Sequence, residues 1–223
     1  MALTLVFDLD GTLVDTAPDL TRACDQALAT KGLGPAPSAL IRPQISFGSR
    51  AMIVAALGHH GVALPQTEID GMWAEFLAHY EANVAVASRP FDGIAGVLER
   101  AVARGDRLAV CTNKVERLSR LLLDTLGLSR HFAAIAGRDT FSVMKPHPDH
   151  LLGAIAQAGG DPAHAVMIGD SDVDIATARA AGVPVIAVTF GYSPAAVATY
   201  APDAVIDTYA EFDLALARVL AAR

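Results

Sequence analysis

The sequence predicts an α/β protein: a parallel sheet with helices on both faces, and a small all-helical domain inserted after the first strand. Short apolar strands alternate with amphipathic helices over most of the 223 residues, the pattern that βαβ units and a parallel sheet produce. Residues 16–83 interrupt that alternation with helical periodicity and no convincing strand. A composition of 52% hydrophobic and 18% charged residues excludes wholesale disorder and allows a sizeable core.

The elements follow in order. Leu3-Thr-Leu-Val-Phe7 is a short apolar run ending in the turn Asp8-Leu-Asp10-Gly11-Thr12, which reads as a buried strand. Leu20, Ala23, Cys24, Ala27 and Leu28 then trace an amphipathic helix ending at Gly32. Shorter helices are expected over 38–42 and 49–57. Ile69, Met72, Trp73, Phe76, Leu77 and Tyr80 make a stronger helix whose aromatic stripe is expected to pack a core. Asp15-Thr-Ala-Pro18 and Ser88-Arg-Pro90 flank this block as hinge segments. The predicted division is therefore a core of 1–15 with 86–223, and a helical domain of 16–85.

Beyond it, Ile94, Val97, Leu98, Ala101 and Val102 form a helix stopped by Gly105, and Leu108–Cys111 a strand. Val115, Leu118, Leu122 and Leu126 form a helix stopped by Gly127, followed by a weaker strand over 132–136. Leu151, Leu152 and Ile155 mark a helix stopped by Gly159-Gly160, and 165–168 and 185–188 are strands. The whole is a Rossmann-like core.

In an open parallel sheet, ligands sit beyond the carboxyl ends of the strands, so the residues after each strand carry the chemistry. The first strand delivers Asp8 and Asp10, whose spacing of two puts both on one strand face. Two carboxylates that close need a cation between them, unless they are merely solvated acids at a strand end. The second delivers Thr112-Asn113-Lys114, a hydroxyl, an amide and an ammonium at a helix start, where free N–H groups already favour an anion. The strand at 165–168 delivers Gly169-Asp170-Ser171-Asp172 and then Asp174.

Of 17 basic residues only three are lysines, Lys31, Lys114 and Lys145. Lys114 taken by itself reads more readily as a solvated surface lysine than as an anion ligand. Lys145 precedes Pro146-His147-Pro148, a rigid turn that fixes an ammonium in place, which favours a functional role. Mg2+ prefers oxygen ligands and keeps several waters, so Asp8, Asp10 and Asp170 suffice for it. The seven histidines do not suggest zinc: His147 and His150 lack a further acid or thiolate nearby in sequence, and His59-His60 reads as a solvated helix end.

A net charge of −7 makes nucleic acid an unexpected partner. Cys24 and Cys111 read as reduced core residues. The N-terminus has no basic run before Asp8, and no apolar run is long enough to span a bilayer, so a cytoplasmic protein without membrane attachment is expected.

Four motifs in order resemble the haloacid dehalogenase-like hydrolase superfamily, and within it the phosphoglycolate phosphatase-like branch. They are Asp8-Leu-Asp10-Gly-Thr12-Leu-Val-Asp15, Val110-Cys-Thr112-Asn113-Lys114, Lys145-Pro-His-Pro and Gly169-Asp170-Ser-Asp-Val-Asp174. The turn Phe190-Gly191-Tyr192 and the helical block, a cap domain in that branch, are similar too, so the resemblance covers essentially the whole chain. It implies a Mg2+-dependent phosphatase with Asp8 as nucleophile, forming an aspartyl-phosphate, and Asp10 as general acid and base. Thr112 and Lys145 would hold the phosphoryl oxygens, with Gly11, Thr12, Asn113 and Lys114 contributing to substrate binding. Asp8, the Asp10 carbonyl and Asp170 would ligate the metal, and Asp174 would support it. Arg138 departs from the branch where a second glycine is expected, and Asp172 adds an acid to the fourth motif.

The substrate implied is a small phosphorylated metabolite, with 2-phosphoglycolate the leading candidate, and the protein is expected as a monomer or homodimer. Arg50, at a helix start after Gly48-Ser49, is a candidate grip for a substrate carboxylate. Alternatives are a sugar-phosphate phosphatase, a phosphoglucomutase-like phosphotransferase, which would return the phosphate to its substrate, and a non-catalytic binding module.

Overall fold

The computed structural model describes residues 2–222. In chain order the elements are β1 (Thr4–Phe7), β2 (Val14–Asp15), α1 (Ala17–Ala29), α2 (Ser38–Ile41), α3 (Ser49–His59), α4 (Gln66–Ala82) and β3 (Arg89–Pro90). Then come α5 (Ile94–Ala103), β4 (Arg107–Cys111), α6 (Glu116–Thr125), β5 (Ala134–Ala136), α7 (Pro148–Gln157), β6 (Ala165–Gly169), α8 (Asp172–Ala180), β7 (Val185–Val188), β8 (Ala204–Ile206) and α9 (Phe212–Ala221). The chain divides into two compact units, Met1–Asp15 with Pro90–Arg223, and Thr16–Arg89.

The larger unit is built on a six-stranded parallel sheet in the order β5-β4-β1-β6-β7-β8. Every residue of β1 is buried, as a central strand covered on both faces must be, and this is why it reads as a continuous apolar run. Successive residues serve opposite faces. Val6, Ala109, Cys111, Met167 and Ala187 pack with Leu151, Ala154 and Ile155 of α7 and Ile175 and Ala178 of α8. Phe7 turns the other way and stacks on Phe212 of α9 at 6.2 Å.

From β1 the chain moves outward through β4 and β5, then crosses back to β6 and continues the other way through β7 and β8. The topological switch point is therefore the crevice between β1 and β6, where such sheets bind ligands. Phe7 is level with Val110 and with Ile168, so the residues after all three strands emerge at one height.

The sequence pattern missed β8 and α9. β8 is an edge strand of only three residues, Ala-Val-Ile, with Val205 39% exposed, and so short an apolar run does not stand out as a strand. The smaller unit is all-helical. Leu20, Ala23, Cys24, Ala27 and Leu28 of α1 are buried in its core, as are Met52, Ile53, Ala56 and Leu57 of α3 and Met72, Phe76 and Tyr80 of α4. The aromatic stripe is narrower than expected, because Ile69, Trp73 and Leu77 stay half-buried.

This unit also runs past the sequence boundary at 85/86 to Arg89. The reason is Asp19, whose buried carboxylate accepts hydrogen bonds from the Ala87 and Ser88 amides and the Ser88 hydroxyl (2.7–3.0 Å) and pairs with Arg22 at 2.9 Å. Among the described residues no helix is long and apolar enough to cross a membrane.

Candidate active site

β1 stops at Phe7, and the Asp8 amide donates to Ile168 O (2.9 Å), fixing Asp8 against the end of β6. The two leading acids do not share one partner, as their spacing suggested. Asp10 lies beyond the strand in an isolated bridge with Val14. Its carboxylate accepts from Lys114 Nζ through both oxygens, at 3.0 and 3.1 Å. Asp8 instead pairs with Lys145 Nζ at 3.0 Å. The same ammonium donates to Asp174 Oδ1 at 2.6 Å, with its side chain only 2% exposed.

Asp170 follows β6. Its Oδ1 accepts from the Thr12 hydroxyl (3.1 Å) and its Oδ2 from the Tyr192 amide (2.7 Å). Thr12, expected at the substrate, is fully buried and its hydroxyl is committed to Asp170, while its carbonyl accepts from the Tyr209 hydroxyl (2.8 Å). Gly11 and Gly191 let the chain close around this carboxylate. A Cβ on Gly11, whose φ is 83°, would sit 2.5 Å from Asp170 Oδ2, and one on Gly191 would collide with Asp170 Cβ. Tyr192 also donates its hydroxyl to Asp15 Oδ1 (2.7 Å).

Asp174, in the first turn of α8, completes a capping box with Ser171. Its Oδ2 accepts from the Ser171 hydroxyl (2.7 Å) and from the Ser171 and Asp170 amides (3.1 and 3.2 Å). This reciprocal cap fixes Asp174 and so orients Lys145.

Three buried carboxylates, Asp8, Asp170 and Asp174, thus bring oxygens within 4.8 Å of one another. Lys145 supplies one positive charge against three negative ones. The imbalance appears in the acidities: burial lifts Asp8 to about 6 against the pull of Lys145, with Asp174 and Asp10 adding to the rise. Asp170 is also held well above the usual carboxylate range, by burial and then by its acidic neighbours. Burial works against the Lys145 ammonium, but Asp174 and Asp8 outweigh it and keep its pKa above the ordinary value. An all-oxygen donor set with surplus negative charge fits a hard divalent cation.

Across the crevice, Thr112 is buried after β4, its amide donating to Ala136 O (3.0 Å) and its hydroxyl accepting from the Lys114 amide (3.3 Å). Asn113 Nδ2 donates to Lys145 O (3.1 Å), which leaves its buried Oδ1 without a partner among the described residues. Arg138 is half-buried, and its amide donates to Lys114 O (3.0 Å). Arg50 belongs to the helical unit, where it pairs with Asp70 and lies 4.2 Å over the Trp73 ring. Sequence reasoning missed the supporting roles of Thr12, Gly191 and Ser171 toward the acids.

Buried acids facing an ammonium at a sheet's switch point, with hydroxyl and amide donors on the adjacent strand end, are the equipment of a phosphoryl-handling hydrolase. Residues 5–188 match the haloacid dehalogenase-like hydrolase family, and the chain belongs to it. A phosphoglycolate phosphatase of Mesorhizobium japonicum is 45% identical over 216 residues, covering 97% of this chain and 95% of its own. One from Agrobacterium fabrum is 44% identical, covering 95% and 91%. Among solved structures, a predicted phosphoglycolate phosphatase from Haemophilus somnus superposes with a TM-score of 0.89 at 29% identity, over 96% of this chain and 97% of that one. CbbY from Rhodobacter sphaeroides, solved in complex with xylulose-1,5-bisphosphate, superposes with a TM-score of 0.79 at 25% identity, over 95% and 96%. The protein is a phosphoric monoester hydrolase.

Proposed function

We propose that this hydrolase is a Mg2+-dependent phosphatase acting on 2-phosphoglycolate through an aspartyl-phosphate on Asp8. The observation that carries this is the Asp8–Asp170–Asp174 cluster paired with Lys145 at the switch point, taken with the relatives named above. Asp8, the Asp10 carbonyl and Asp170 hold the cation, which neutralises phosphoryl charge when bound. An Asp8 carboxylate oxygen attacks phosphorus, and the bond to the leaving oxygen breaks as Asp10 protonates that oxygen. Asp10 then takes a proton from water as the water displaces Asp8, releasing inorganic phosphate. Lys145 and Thr112 hold the phosphoryl oxygens, with Asn113 and Lys114 beside them and the Gly11 turn shaping the pocket. Asp174 keeps Lys145 aimed. The helical unit acts as a cap, and Arg50 grips the substrate carboxylate after trading Asp70 for it.

The test is phosphate release from a panel of phosphomonoesters with Mg2+. Asp8→Asn should abolish turnover, and activity surviving that change would sink the mechanism. Arg50→Ala should lose carboxylated substrates and keep neutral ones, whereas equal loss on both would remove Arg50 from recognition. The structural likeness to a chain solved with xylulose-1,5-bisphosphate favours a sugar phosphate as the second reading, and a preference for sugar phosphates in the panel would select it.

A further inference from the structure

His150 is buried on α7 with no exposed surface, and both ring nitrogens are engaged. Nε2 lies 3.0 Å from Gly137 O and Nδ1 lies 3.6 Å from Cys111 Sγ. A backbone carbonyl only accepts, so Nε2 carries the proton and Nδ1 receives the Cys111 S–H. Burial pushes the thiol up to about 12 and, with Lys145 nearby, lowers the imidazole, so the pair is neutral. It is therefore no thiolate–imidazolium nucleophile, and it has a different use.

Its three attachment points each sit next to the site. Cys111 immediately precedes Thr112 at the end of β4. Gly137 follows β5 and packs against the Lys114–Glu116 backbone so closely that a Cβ there would collide with Glu116 N and Lys114 O. The next residue, Arg138, donates its amide to Lys114 O. α7 itself begins three residues after Lys145, whose carbonyl accepts from Asn113. One imidazole thus ties together the strand end bearing Thr112, the loop that braces Lys114 and the helix that follows Lys145. The Phe141 ring packs beside it in a T-shaped contact, the ring centroids 5.8 Å apart.

We propose that His150 is a positioning residue that holds the Thr112–Lys114 loop and the Lys145 loop in register to receive a phosphoryl group. It rests on the reading that these loops bind phosphate, and its own contacts are to that half of the site: its ring nitrogens reach Gly137 and Cys111, neither of them a carboxylate of the cluster.

The experiment compares His150→Leu, which removes both contacts, with His150→Gln, which restores a donor for Gly137 O, and with Cys111→Ala, which removes the weaker contact. Each is measured for inorganic phosphate binding by calorimetry, Mn2+ affinity by electron paramagnetic resonance, and steady-state hydrolysis. His150→Leu should weaken phosphate binding and raise KM by about tenfold or more, in the range that loss of a supporting contact to a ligand-holding group brings, with Mn2+ affinity within about twofold of the parent. His150→Gln should recover most of the loss, and Cys111→Ala should fall near the parent. A His150→Leu protein that binds phosphate like the parent, or that loses phosphate and Mn2+ in equal measure, overturns the proposal. So does a folded His150→Gln protein without rescue. A parent protein that binds no phosphate overturns the phosphoryl-site reading itself, and this inference with it.

Discussion

Stripping divalent cations should leave a protein whose stability falls as pH rises through the Asp8 range, and Mg2+ should restore it most at the higher pH. In the metal-free protein burial raises Asp8 from 3.8 to about 6, against the pull of Lys145. A carboxyl whose folded pKa exceeds its unfolded value holds its proton more tightly when folded. Its contribution is therefore full below about pH 4 and is lost as pH rises through about 6. About two pKa units at about 1.36 kcal/mol each amount to ~3 kcal/mol. Asp170, displaced in the same direction, adds to this.

A divalent cation on the same oxygens takes the proton's place. At a hundredfold excess over its Kd it contributes about 2.7 kcal/mol. For a chain of this size that is a Tm rise of roughly 5–11 °C. The assay is calorimetric or fluorescence melting with chelator and then with excess Mg2+, at about pH 7.5 and about pH 5, where proton and cation compete. The rise should be clearly larger at the higher pH and mostly absent in Asp170→Asn. An equal rise at both pH values, or an undiminished rise in Asp170→Asn, would refute the account of the cluster as a cation site short of positive charge.

Two further outcomes are expected. Asp19 is the converse case: burial alone would raise its pKa, but the Ser88 hydroxyl and amide, the Ala87 amide and Arg22 outweigh that and lower it. Its contribution is present above the unfolded value and lost as pH falls through the lower folded value. Asp19→Asn should destabilise the helical unit by about 3 kcal/mol near neutrality, and by much less in acid, on thermal unfolding at both pH values. An equal penalty in acid would show that charge is not what anchors residues 87–88. Gly191→Ala places a methyl against Asp170, which Thr12 and the Tyr192 amide hold fixed. It should cost roughly ten- to a hundredfold in Mn2+ affinity with a native circular dichroism spectrum, and unchanged affinity would mean that the carboxylate yields.

The central strands were legible because each lies covered on both faces and must be apolar along its buried length, as residues 5–7 of β1, residues 108–111 of β4, and β6 and β7 are. The helices of the smaller unit were legible because packing on one side leaves a 3.6-residue stripe. β8 escaped because its apolar run, Ala-Val-Ile at the sheet edge, is only three residues long, too short for a period to show. At the site, sequence placed acids after β1 and β6 and polar donors after β4, because parallel strands run in register and end at one edge.

What those side chains hold on to was decided only by tertiary structure. Spacing put Asp8 and Asp10 on one strand face, but the strand ends before them, and Lys145 and Lys114 draw them to different partners. Thr12 meets Asp170 across 158 residues, and Tyr192 meets Asp15 across 177, separations over which local periodicity carries no information. Thus the sequence by itself determined the sheet, its helices and the edge at which chemistry gathers, since these follow from local period and burial. The pairing of each acid with its lysine, the bracing of Asp170 and the seat of His150 were set by packing between distant segments, because hydrogen bonds and charge compensation act at ångström range and only the folded chain brings those atoms together.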